Sequence, residues 1–229
     1  MTRALTCSSA IGLVFLATAA SADVTPQEVW ASWQAMMTSA GQELTVGNTA
    51  DSGKAVEVTD LAVTYKDQMG GSASVTFDKL SFTDNGDGTV TVAMPESYPM
   101  QLAFPTQDDG PGSVKLTVSQ PGAVIIAGGN ADQTSYQMTA PTMTITLDEV
   151  RDQSGKVLDT KGDLALTGLE GGYEVTRTGE TMGLDSDFSA KTAVFDLNGS
   201  DGSGGSGKIS VSFADLKGAT KGNFLNPEM

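Results

Sequence analysis

Residues 82–95, FTDNGDGTVTVAMP, crowd Asp84, Asn85 and Asp87 together with Gly86 and Gly88, a composition shared by calcium loops and tight turns. An EF-hand loop needs Asp first, oxygen ligands third and fifth, Gly sixth and a bidentate Glu twelfth. With Gly88 sixth, Asp87 and Asn85 fall in place, but Thr83 stands first and Met94 twelfth. The chelating carboxylate is missing. Asn-Gly and Asp-Gly instead supply the positive φ angles of a hairpin joining Leu80–Phe82 to Val90–Val92, and a hairpin is expected.

Other chemistry is scarce. The chain has no His, and Cys7 is its one cysteine, which removes Ser-His-Asp triads, thiol nucleophiles and His or Cys zinc sites. Asp185 with Asp187, and Asp108 with Asp109, are pairs of the type a carboxylate-based glycoside hydrolase or a weak calcium site uses. Asp109-Gly-Pro-Gly reads as a turn. In residues 202–208, GSGGSGK, Ile209 stands where a phosphate loop needs Ser or Thr, and no helix pattern follows. No catalytic residue, metal or cofactor is expected.

The first 22 residues carry Arg3, an apolar run over 11–20 and Ala20-Ser21-Ala22, the layout of a cleaved export signal. Cys7 belongs to that leader, and the expected mature chain starts at Asp23. Losing Arg3 from 13 basic residues leaves 12 against 28 acidic, a net charge of −16. Such a surface repels nucleic acid and anionic membranes. No later stretch is long and apolar enough for a membrane helix, so a periplasmic protein is expected.

One helix is legible, over residues 25–40. Thr25 and Glu28 form a capping box, Pro26 suits the first turn, and Gly41 ends it. Val29, Trp33, Met36, Met37 and Ala40 make one apolar stripe, widened by Trp30. After Gly41 the chain reads as β: residues 89–94, 113–118 and 142–147 alternate apolar with polar side chains. Further strands are expected near 43–47, 55–65, 73–83, 100–104, 123–127, 163–168, 173–177, 193–197 and 208–213. The expected fold is all-β with one N-terminal helix: a long bent antiparallel sheet, a meander or open barrel, in one domain over 23–229. Residues 198–207, NGSDGSGGSG, suit a long hairpin tip better than a linker.

A second pattern recurs. Val56, Val58 and Leu61; Val75, Phe77 and Leu80; Ile145, Leu147 and Val150; and Val211, Phe213 and Leu216 each place the third apolar residue one step out of phase. A regular strand would turn it to the wrong face, so a bulge is expected in each, with Asp60, Asp78, Asp148 and Asp215 marking bends. The last three copies lie about 66 to 70 residues apart, the spacing of a degenerate tandem unit.

Residues 28–34, EVWASWQ, together with NGDGTVTVAMP over 85–95 and the terminal Asn-Pro-Glu-Met, resemble an exported proteobacterial family known as domain of unknown function 2125. The resemblance implies a periplasmic β-rich protein, and one roughly half the length of typical members. It brings no catalytic residues.

One helix of about 15 residues is roughly 22 Å long and spans four or five strands at ~4.8 Å, against about a dozen strand candidates. The uncovered apolar face must close on itself, meet another molecule or hold a ligand. The sequence therefore points to a non-catalytic protein that binds a lipid-like molecule or an envelope component, with Trp30, Trp33 and Met37 at that face. A glycoside hydrolase and an outer-membrane β-barrel are the competing expectations. The latter is opposed by 6% aromatic content, low for a fold that needs aromatic girdles.

Overall fold

The computed structural model describes residues 23–105, 112–130, 132–200 and 205–225. The leader, the Asp108–Asp109 pair, residues 201–204 of the NGSDGSGGSG tip and the terminal Asn-Pro-Glu-Met therefore lie outside the described residues.

Helix α1 (Pro26–Ser39) begins where expected. The Thr25 hydroxyl accepts from the Glu28 amide and the Glu28 carboxylate accepts from the Thr25 amide, so two donors of the first turn are satisfied reciprocally. Gly41, at φ 77°, turns the chain out of the helix.

Among the described residues, the strands that follow form one antiparallel sheet. Its segments are β1 (Gln42–Thr45), β2 (Asn48–Asp51), β3 (Ala55–Lys66), β4 (Ser72–Asp84), β5 (Val90–Ala93), β6 (Ser97–Phe104), β7 (Gly112–Ser119), β8 (Val124–Gly129), β9 (Gln133–Arg151), β10 (Val157–Leu158), β11 (Thr160–Thr178), β12 (Thr181–Ser200) and β13 (Ser206–Leu225). β1 and β2 both pair with β3. β5 and β6 both pair with β4, and β8 and β7 both pair with β9. Each of these couples is one ribbon with a break in it, and β10 is a two-residue spur on β9. The 13 segments thus amount to nine ribbons in an up-and-down meander, with β1/β2 at one edge and β13 at the other. The Asn85–Gly88 turn is the expected hairpin, with Gly86 and Gly88 at positive φ.

All nine ribbons break at one level. Ladder pairs are missing between Asp60 and Asp78, between Pro141 and Gly168, and between Lys191 and Asp215. The remaining ribbons break at Val46–Gly47, at Met94–Glu96 and at Gln120–Ala123. At the last two breaks the Gln120 amide donates to the Glu96 carbonyl at 2.7 Å, stitching neighbouring ribbons together.

These breaks differ from the expected bulges in one respect. Register is the same on both sides of Asp60/Asp78 and of Lys191/Asp215. Each extra residue is matched by one in the neighbouring strand, so the pleat inverts without a slip. Asp148 alone of the four aspartates is a one-residue bulge, where Lys115 pairs with Glu149 but Leu116 pairs with Leu147. The recurring pattern therefore records a shared bend and one bulge, and needs no tandem unit.

Asp60, Gly168 and Asp215 take left-handed φ values of 54°, 56° and 53° at the bend. Asp tolerates this region better than other non-glycine residues, whereas a β-branched residue there is a genuine outlier. Asp215→Gly is therefore expected to leave stability within about 0.5 kcal/mol, and Asp215→Val to cost about 1–2 kcal/mol, measured by urea unfolding.

The bend divides the inner face in two. Above it, α1 fills the curl of the sheet: Val29, Trp30 and Trp33 pack with Val56, Val58, Leu80, Phe82, Val90, Val92, Tyr136, Val175 and Met182. Below it, Leu61, Leu44, Val63 and Phe77 still join that core, and farther toward β13, among the described residues, no helix covers the sheet.

Candidate functional site: an apolar trough beside the helix

Cross-strand register aligns side chains into rows, since residues opposite each other share a face. Below the bend one row runs Leu61, Phe77 across β3 and β4, continues through Tyr98 and Val118 in β6 and β7, then Ile145, Leu164, Phe195 and Val211. Tyr98 meets Phe77 with ring centroids 4.8 Å apart. A second row runs Leu44, Val63, Val75, Met100, Leu116, Leu147, Gly162, Leu197, Ile209. Most of these residues are only half-buried, and Ile209, Val211 and Phe213 on the edge are 55%, 38% and 56% exposed. Nine ribbons at ~4.8 Å make this apolar band roughly 40 Å wide.

At its upper end, beside the C-terminal half of α1, the band runs into an open cleft of about 420 Å³ lined by Trp33, Met36, Met37, Ile125, Met138, Leu169, Tyr173 and Phe188 among others. That volume lies within the range of small-molecule sites. Phe188 forms one wall because it lies across Gly218, its cross-strand neighbour; a Cβ on Gly218 would overlap the Phe188 ring. Three methionines in the lining give an adaptable surface.

The expected ligand-face residues separate here. Trp33 and Met37 line the cleft. Trp30 does not: it is 7% exposed and packs on Phe82 at 5.6 Å, as part of the core beneath the helix. The helical stripe contained no signal separating the two tryptophans, because both lie on the buried side.

A polar cluster sits between α1 and β9–β11. Tyr136 stacks on Tyr173 at 4.3 Å and lies 6.4 Å from Trp33. The Arg177 guanidinium donates to the buried Ser32 hydroxyl at 2.6 Å. Among the described residues neither the Trp33 indole N–H nor the Tyr136 hydroxyl has a partner in hydrogen-bond geometry; Tyr173 and Ser32 stand close to them without completing a bond. Burial pushes the Tyr136 phenol up, against the opposing pull of Ser32 and the Arg177 charge. Burial also pushes Tyr173 up, helped by Tyr136 and opposed by Trp33.

The acidic residues are elsewhere. Asp185 and Asp187 occupy outward positions of β12, alternate to Phe188, beside Glu174 in a shallow cleft of about 240 Å³. Asp185 is ion-paired to Lys221 at 2.7 Å. In the hairpin, the Asp87 carboxylate accepts from the Thr89 hydroxyl and amide at 2.6 and 3.1 Å, and that hydroxyl lowers its pKa. Among the described residues no three His, Cys, Asp or Glu are grouped to hold a metal.

These groups set the pH response. Asp87, Asp152 and Glu149 have lowered carboxyl pKa values, held down by Thr89, Ser154 and Arg151 in turn. Their stabilisation is complete above the unfolded values, near 3.8 for Asp and 4.5 for Glu, and fades as pH falls through the lower folded ones. For the raised Tyr136 and Tyr173 it is complete below the unfolded value of 10.0 and fades as pH rises. No His exists to titrate between, so the melting temperature is expected to be flat from about pH 5 to 9 and to fall above pH 10 as phenolate absorbance appears.

Among the described residues no helix is long and apolar enough to cross a membrane. Among the described residues the sheet's two edge ribbons, β1/β2 and β13, are unpaired with each other. No family model, no curated protein and no solved structure matches the chain.

Proposed function

We propose that this is an exported, non-catalytic protein of the periplasm that binds a lipid-like molecule along the inner face of its bent sheet. The observation that carries the reading is the half-exposed apolar band below the bend, continuous with the cleft at Trp33 and Met37. Apolar patches on monomers seldom exceed a few hundred Å² unless they bind something. Ligand pockets are typically lined by apolar and aromatic side chains with few polar groups, which is the lining seen here. The resemblance to the domain of unknown function 2125 and the leader-like first 22 residues support the location.

The test is chemical. Protein purified without detergent from an exporting bacterium is extracted with organic solvent and the extract analysed by mass spectrometry. A co-purified lipid near one equivalent is expected, along with transfer of a fluorescent lipid between vesicles. Empty extracts and no transfer would remove the reading.

A further inference from the structure

We infer that the trough selects amphiphiles whose head group carries no negative charge, a conclusion that rests on the lipid-binding reading above. Register fixes which face each charged residue occupies. Below the bend, Lys66, Lys115, Glu149, Arg151, Asp163 and Asp196 all fall at positions alternate to the apolar rows, on the outer face. Lys161 and Lys208 do the same beside Asn198. The apolar rows themselves contain no cation that could meet a carboxylate or phosphate.

Above the bend the inner-face cation is Arg177, and it is engaged beneath α1 with the buried Ser32, away from the open trough. Asp187 contributes to the cleft wall, but its position alternate to Phe188 sends the carboxylate to the outer face. The surrounding field has the same sign, because the chain carries a net charge of −15. An anionic head at the cleft mouth therefore finds no partner and a repulsive surface. A glycerol or hydroxyl head meets none of these costs, while its hydrocarbon tail gains the same burial as that of the anion.

The experiment compares two ligands with one tail, monooleoylglycerol and oleate, at pH 9 in 10 mM salt, below their aggregation concentrations. Binding is read by tryptophan fluorescence, since Trp33 lines the cleft, and by ligand retained in native mass spectrometry. Monooleoylglycerol is expected to bind at least tenfold more tightly. Raising salt to 0.5 M should narrow that gap. Oleate binding equal to or tighter than monooleoylglycerol overturns the head-group inference and leaves the lipid reading standing. Failure of both ligands to bind overturns both.

Discussion

Phe82→Ala is expected to destabilise the protein by about 4 kcal/mol and to lower its melting temperature by roughly 8–16 °C. Phe82 is fully buried and is held on two sides, by Trp30 at 5.6 Å and by the edge of Trp33 at 5.5 Å. Removing the ring deletes its transfer free energy and leaves a cavity that two large indoles cannot both collapse into. It also loses two aromatic pairs, each contributing about 0.5–1.5 kcal/mol. Because both tryptophans of α1 pack on this ring, their near-ultraviolet circular dichroism should weaken with it. Phe213→Ala is the control: 56% exposed on the edge of the uncovered half, it should change stability by no more than about 0.5 kcal/mol. Equal shifts for the two variants would mean that α1 does not seal the upper half of the sheet.

That division between a sealed and an open half was partly legible in the chain. The capping box of Thr25 and Glu28 and the apolar stripe act within a few residues, so the helix could be located almost to its ends. The bend was legible at Asp60, Asp78 and Asp215, because an apolar residue out of phase is a local event. It was not legible at Gly168 or Lys191. There the phase change separated 163–168 from 173–177 into two candidates, although both belong to the single strand β11. The first half of β12 and the second half of β13 escaped as well: in β13 Gly218 and Gly222 hold inner positions opposite Phe188 and Leu184, so alternation fades where the backbone stays extended. Nothing local said that the breaks align across the sheet, since that depends on strand length and register together. For the same reason Trp33 could not be told from Trp30: the distinction lies in where the helix ends relative to the bend.

Leu164→Asp should abolish lipid binding while leaving the fold intact, with affinity for a neutral single-chain lipid falling on the order of a hundredfold, near 2.7 kcal/mol. Leu164 lies at the middle of the apolar row, between Ile145 and Phe195, and is half-buried without a helix over it. In the empty trough the new carboxylate can remain hydrated, so the stability loss should be about 1–2 kcal/mol, ordinary for a point substitution. Under a hydrocarbon chain the same carboxylate must be dehydrated with no cation on that face to meet it, which is the costly situation. Leu164→Met, which preserves volume and polarity, should bind as the parent does. The same pair of variants separates a lipid from a second copy of the chain as the covering molecule. If two copies pack their bands together, Leu164→Asp converts a dimer to a monomer in sedimentation whether or not lipid is present, whereas a lipid-covered trough gives the same mass for parent and variant. A variant that keeps both its mass and its lipid would place the ligand elsewhere on the sheet.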